Sequence, residues 1–119
     1  MKVGLDFHGV IDIHPEKFSR LSKVLVEAGC EVHIMTGNRL DEDFKGILGQ
    51  LGICYTHLYS LTDHLIEKYG REMVFPTEEW NKLKHTYAME HGLDIIFDDS
   101  DEYHKHFKAH QTVYFLIKN

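Results

Sequence analysis

Between residues 93 and 97 the apolar side chains of Leu93, Ile95, Ile96 and Phe97 run almost without a break, and this run constrains the fold more than any other stretch of the chain. A strand with one wet face alternates apolar and polar residues, so a short, nearly all-apolar strand needs cover on both faces. Helices on the two faces of a mostly parallel sheet supply that cover. The run predicts a strand over 94–97, and shorter apolar runs predict others over 2–6, 31–35, 55–59 and 112–117.

The segments between these runs have helical spacing. Phe18, Leu21, Val24, Leu25 and Ala28 give a helix over 15–28 one buried face, with Pro15 suited to its first turn and Gly29 to its end. Asp41, Glu42 and Asp43 crowd the start of the next helix, where negative charge suits the macrodipole. Phe44, Ile47, Leu48 and Leu51 form its inner stripe, and Gly52 ends it. Leu61, Leu65, Ile66 and Tyr69 predict a short helix, and residues 77–91 a longer one closed by Gly92. A short helix over 101–108 leads into the last strand. Strands alternating with helices predict an α/β domain, doubly wound (Rossmann-like), with helices on both faces of a mostly parallel sheet. At 119 residues the chain reads as one domain, 1–119.

Charge and cysteine usage narrow the function classes. A formal charge of −6 opposes a dedicated nucleic-acid binder, which needs a basic face, but leaves room for a local cationic pocket. Cys30 and Cys54 lie far apart with no CxxC spacing and read as reduced thiols. No signal-like segment precedes the first strand, and the apolar runs are too short to span a bilayer. The expectation is a cytoplasmic protein with no membrane partner.

Doubly wound domains place their sites beyond the carboxyl ends of the strands. Strand one ends in Asp6-Phe7-His8-Gly9-Val10-Ile11-Asp12, strand two in Met35-Thr36-Gly37-Asn38-Arg39, and strand four in Asp98-Asp99-Ser100-Asp101. Converging, these ends would gather carboxylates, a hydroxyl and a turn of free backbone N–H groups. Clustered carboxylates repel unless a cation joins them, and a hard ion such as Mg2+ suits one or two carboxylates plus a substrate phosphate. Thr36 and the amides near Gly37 lie just ahead of a helix N-terminus, which suits a phosphate.

The segment VGLDFHGVID resembles the first motif of haloacid dehalogenase (HAD) superfamily phosphatases, an apolar strand ending in Asp-x-Asp-Gly. VHIMTGN resembles their second motif and LDIIFDDSD their fourth, in the same order and strand context. The resemblance implies a HAD-like fold and a Mg2+-dependent phosphatase that hydrolyses phosphate monoesters through an aspartyl-phosphate on Asp6. It implies that Thr36, with Gly37 and Asn38, binds the transferring phosphoryl group. It implies that Asp6, the backbone carbonyl of His8, and Asp98 or Asp99 hold the metal.

The family also uses a lysine on the helix before the fourth strand, and here Lys82 and Lys84 compete for that role. At about 100° per residue, Trp80, Leu83, Tyr87 and His91 share one face, and Lys84 falls within it while Lys82 points almost oppositely. Lys84 is the expected catalytic and substrate-binding cation. His8 departs from the family pattern, standing where a second Asp normally protonates the leaving oxygen. Histidine is a competent acid and base near neutral pH. The alternative is a module that binds Mg2+ and a phosphorylated ligand or partner without turnover.

Little chain is left for a cap domain, and the resemblance associates an open site with bulky substrates. Paired acids in the fourth motif also resemble those of phosphatases acting on nucleotides or nucleic-acid ends. Among ten histidines, His104, His106 and His110 have spacing that suggests a transition metal, but no motif completes it, and they read as scattered surface residues. Trp80, Phe44, Phe18 and Tyr87 read as packing, and Arg39 as a solvated loop residue.

Overall fold

Alternation along the two innermost strands decides which helix lies where. The computed structural model describes residues 1–70, 75–107 and 111–119. In β1 (Lys2–Asp6) and β2 (Glu31–Thr36), Val3, Leu5, Val32 and Ile34 share one core with Phe18 of α1 (Pro15–Glu27) and with Phe44 and Leu48 of α2 (Glu42–Gln50). Successive strand residues face opposite ways, so Met35 joins a second core with Ile96 of β4 (Ile95–Asp98) and with Tyr87 and Ala88 of α4 (Thr77–His91). Helices therefore cover both faces. Leu61 and Leu65 of α3 (Leu61–Tyr69), which follows β3 (His57–Ser60), pack on Leu83 of α4. α5 (Asp101–His104) and a single 3-10 turn (Lys105–Phe107) lead toward β5 (Val113–Leu116).

Among the described residues five strands form one sheet, all parallel, in the order β3-β2-β1-β4-β5. The chain winds outward from β1 through β2 to β3, then returns by α3 and α4 to place β4 on the other side of β1. The winding reverses between β1 and β4, so Asp6 and Asp98 end the two strands that flank the switch point, where doubly wound sheets hold their ligands.

The strands and α-helices come in the expected order, with small shifts at the ends, and an additional helical turn over Phe7–Ile11 follows β1. β3 starts at His57, two residues later than predicted. Thr56 bonds Val32 instead: its Oγ1 accepts from Val32 N at 2.9 Å, and its own N donates to Val32 O at 2.9 Å. β4 starts at Ile95, one residue later than predicted, although Asp94 still joins both neighbours: its N donates to Lys2 O at 2.8 Å, its carbonyl accepts from Val113 N at 2.9 Å, and its carboxylate accepts from Lys2 N at 2.7 Å. The predicted helix over 101–108 breaks after His104, and Lys108 lies outside the described residues. Among the described residues no helix is long and apolar enough to cross a membrane.

Candidate functional site

Lys84 points inward from α4 and is only 3% exposed. A buried ammonium is tolerated only when paired. Its Nζ donates to Asp6 Oδ1 at 3.0 Å and to Asp98 Oδ2 at 2.5 Å, joining the ends of β1 and β4. The face of the Tyr103 ring lies 4.4 Å from the same nitrogen, close enough for cation–π attraction. Asp99 completes the group: Asp6, Asp98 and Asp99 each offer an oxygen, and these atoms lie within 4.8 Å of one another. With all three carboxyl groups ionised, one ammonium leaves two negative charges unmatched, the charge of one divalent cation.

Electrostatics follow from burial. Burial pushes the Asp6 carboxyl up to about 8; Lys84 works against this, and the fields of Asp98 and Asp99 add to it. Burial alone would lower Lys84, but Asp6 and Asp98 outweigh it and hold the ammonium above its ordinary value. Burial also raises the Tyr103 hydroxyl, which accepts from Trp80 Nε1 at 2.7 Å.

The turn after β1 is built to approach this cluster. Gly9 has φ of +81°, a conformation that favours glycine, and a Cβ there would sit 1.9 Å from Asp99 Oδ2. Its N donates to Asp12 Oδ1 at 2.7 Å, and its carbonyl accepts from Asn119 Nδ2 at 2.8 Å. The exposed His8 ring has Nε2 3.2 Å from Asn38 Oδ1 and Nδ1 3.6 Å from Asp12 Oδ2. At the end of β2, Thr36 is fully buried and its Oγ1 accepts from Asn38 N at 3.0 Å. The Gly37 carbonyl accepts from Thr62 Oγ1 at 2.5 Å, tying this turn to α3.

A cavity of about 280 Å³ opens over these groups, lined by Asp6, His8, Gly37, Lys84 and Asp99. Trp80 and Tyr103 form an aromatic wall that sequence reading assigned, for Trp80, to packing alone and, for Tyr103, left unnoticed. A larger groove of about 580 Å³ lies between α3 and α4, where its charges pair with each other, as in Lys68 with Glu79 at 2.6 Å.

Of the sequence-derived residues, Asp6, His8, Gly37, Lys84 and Asp99 reach one cavity, and Asp98 reaches Lys84 beneath it. Thr36 and Asn38 stand beside it, with Thr36 engaged on the backbone of Asn38. Lys82 points to solvent and pairs with Glu78 at 3.0 Å. Arg39, read as a solvated loop residue, pairs with Asp63 of α3, which also accepts from Leu40 N at 2.9 Å. His104 stacks on Tyr114, and His110 lies outside the described residues. A different ligand-like group, Glu31, His33 and His57, went unrecognised because its members are joined by strand pairing. No family model, curated protein or solved structure matches the chain.

Proposed function

We propose that the chain is a HAD-type phosphatase that hydrolyses phosphate monoesters through an aspartyl-phosphate on Asp6 with Mg2+ as cofactor. The observation that carries this reading is Lys84 buried between Asp6 and Asp98 at the switch point, with Asp99 beside them. Oxygen donors and two unmatched negative charges fit a hard divalent cation, held by Asp6, Asp98 or Asp99 and the His8 carbonyl. Bound Mg2+ supplies charge neutralisation that lets an anionic nucleophile meet a phosphate.

The remaining chemistry belongs to the chain. Lys84 holds Asp6 Oδ1, which leaves Oδ2 to attack phosphorus. The P–O bond to Asp6 forms as the bond to the ester oxygen breaks, and that oxygen takes a proton from His8. Water, giving a proton back to His8, then attacks the phosphoryl group and frees Asp6. Thr36 and the turn through Gly37 and Asn38 receive the phosphate oxygens. Trp80 and Tyr103 line the open cavity with aromatic surface, which favours a substrate with a planar or bulky group, such as a nucleotide or a nucleic-acid end. Free Cys30 and Cys54 agree with the reducing cytoplasm as its location.

Hydrolysis of an aryl phosphate with Mg2+ tests the reading. Wild type turns over and Asp6→Asn does not, while both keep the same circular dichroism. Equal rates in the two proteins would sink the mechanism. One observation favours a second reading, a binding module without turnover: both His8 nitrogens are turned toward neighbours, Asn38 and Asp12. If His8 transfers protons, His8→Ala loses about two to four orders of magnitude in rate. If the chain is a binding module, wild type is nearly inactive and His8→Asp gains activity.

A further inference from the structure

The parallel register sets His33 of β2 directly beside His57 of the edge strand β3. Their rings stack at 4.1 Å with planes 3° apart. Glu31, two residues before His33 on the same strand face, brings Oε1 within 2.9 Å of His33 Nε2. One donor atom from each of the three side chains lies within 4.8 Å of the others. The cluster sits toward the amino ends of the strands, away from the carboxylates of Asp6 and Asp98.

We propose that Glu31, His33 and His57 form a second metal site, selective for a borderline divalent ion such as Zn2+. Two imidazoles and one carboxylate are a donor set for Zn2+, whereas the all-oxygen cluster at the other end suits Mg2+.

The surroundings support ligation as well as proximity. His33 is fully buried, and its far nitrogen, Nδ1, lies 2.7 Å from Tyr87 Oη. A metal-binding histidine typically has such a partner on its other nitrogen, which sets ring orientation and tautomer. Without metal, the Glu31 carboxylate can only accept, so His33 Nε2–H donates to it and Tyr87 O–H donates to Nδ1. With metal, Nε2 gives its lone pair to the ion, the proton resides on Nδ1, and Tyr87 becomes the acceptor. A hydroxyl serves both states because it donates and accepts.

His57 is prepared in a similar way. Its Nδ1 lies 2.8 Å from Thr56 Oγ1, whose hydroxyl donates to Val32 O at 3.2 Å. Nδ1–H therefore donates to Thr56, and the lone pair of Nε2 is open. Stacked rings cannot both aim at one ion, so the exposed His57 ring turns out of the stack on binding. A third imidazole, His91 at the end of α4, lies 5.6 Å from the His33 ring. The bound ion would tie β2 to the edge strand and, through Tyr87, to the helix that carries Lys84 one turn earlier.

Calorimetry with Zn2+ on the chelator-stripped full chain tests this site. His57→Ala and Glu31→Gln each remove a ligand. Changing only a supporting partner costs about 10- to 100-fold in affinity, so each should weaken Zn2+ by at least about tenfold, with circular dichroism unchanged. Asp99→Asn, at the other cluster, should leave that affinity as it was. Zn2+ binding lost in Asp99→Asn but kept in His57→Ala overturns the proposal, as does the absence of any binding to wild type. Equal affinity in all three variants also overturns it, because the ion then sits on other histidines.

Discussion

Both ends of the sheet bury an ionisable side chain, and each end deals with its charge differently. At the carboxyl end Lys84 keeps its charge, because Asp6 and Asp98 raise it despite burial. At the amino end burial lowers His33 and so favours the neutral ring, against its hydrogen bond to Glu31. Lysine carries a strongly basic ammonium, so burying it requires counter-charges. Here they come from two strands, 78 and 14 residues away in sequence. Histidine becomes neutral within reach of ordinary pH and needs only hydrogen-bond partners, one of them two residues away. The first solution depends on the whole topology and the second mostly on one strand and one helix.

Removing the centre of each cluster should expose that difference. Lys84→Ala leaves two carboxylates buried without their cation, a loss of about 3–5 kcal/mol for a broken buried pair. His33→Phe keeps an aromatic ring in place but strands the Tyr87 hydroxyl, a cost of about 1–3 kcal/mol. Urea unfolding in the presence of chelator measures both. If His33→Phe costs as much as Lys84→Ala, the amino end is not the milder of the two.

The two ends should also respond to pH in opposite directions. The folded pKa of Asp6 is raised from 3.8 to about 8, so the native state binds the proton more tightly than the unfolded chain. Its contribution is complete below the unfolded value and is lost as pH rises from about 4 to about 8. His33 is depressed below 6.5, so its contribution is present above that value and is lost as pH falls through the folded pKa. Asp6→Asn cannot ionise, so its melting temperature should gain on wild type as pH rises from 4 to 8 in chelator. His33→Phe should gain on wild type as pH falls below 6.5. Parallel curves for Asp6→Asn and wild type would show that Asp6 ionises normally in the fold. Saturating Mg2+ should flatten the Asp6 difference, because a cation favours the carboxylate.

How legible each end was in the sequence follows the same division. Asp6, Thr36 and Asp98 stand where apolar runs stop, and that mark alone located the carboxyl end. The face shared by Leu83, Lys84 and Tyr87 was legible because α4 keeps one phase from Thr77 to His91. What could not be read was which strand lies beside which. The Lys84 bridge depends on β1 pairing with β4, and the His33–His57 stack depends on a β2–β3 register that begins two residues late. His33 sits in an apolar strand and resembles an interior residue until its partners are known. The hydrogen bond from Trp80 to Tyr103, and hence the aromatic wall, joins α4 to a short helix with no periodicity of its own.

The smallest expected effect is the most direct check on the helical phase. Lys82 lies two residues, and so about 200° of helical rotation, from Lys84 on the same helix. Its ammonium is 3.0 Å from Glu78 Oε1, much like the distances Lys84 makes, yet its side chain is 53% exposed and that of Glu78 is 81% exposed. Water already solvates both charges of this pair, salt screens them, and ordering two long side chains offsets what attraction remains. Lys84 differs from Lys82 in surroundings alone, since the residue type, the helix and the kind of partner are the same. Lys82→Ala should therefore leave the urea midpoint and the aryl phosphate rate unchanged within error, and added salt should not alter that result. A loss comparable to that of Lys84→Ala would mean that the outer face of α4 carries part of the site. A rate loss with no change in stability would place the Lys82 ammonium on the path of the substrate into the cavity. Either result would move the boundary between the buried, topology-dependent end of the sheet and the solvated surface around it.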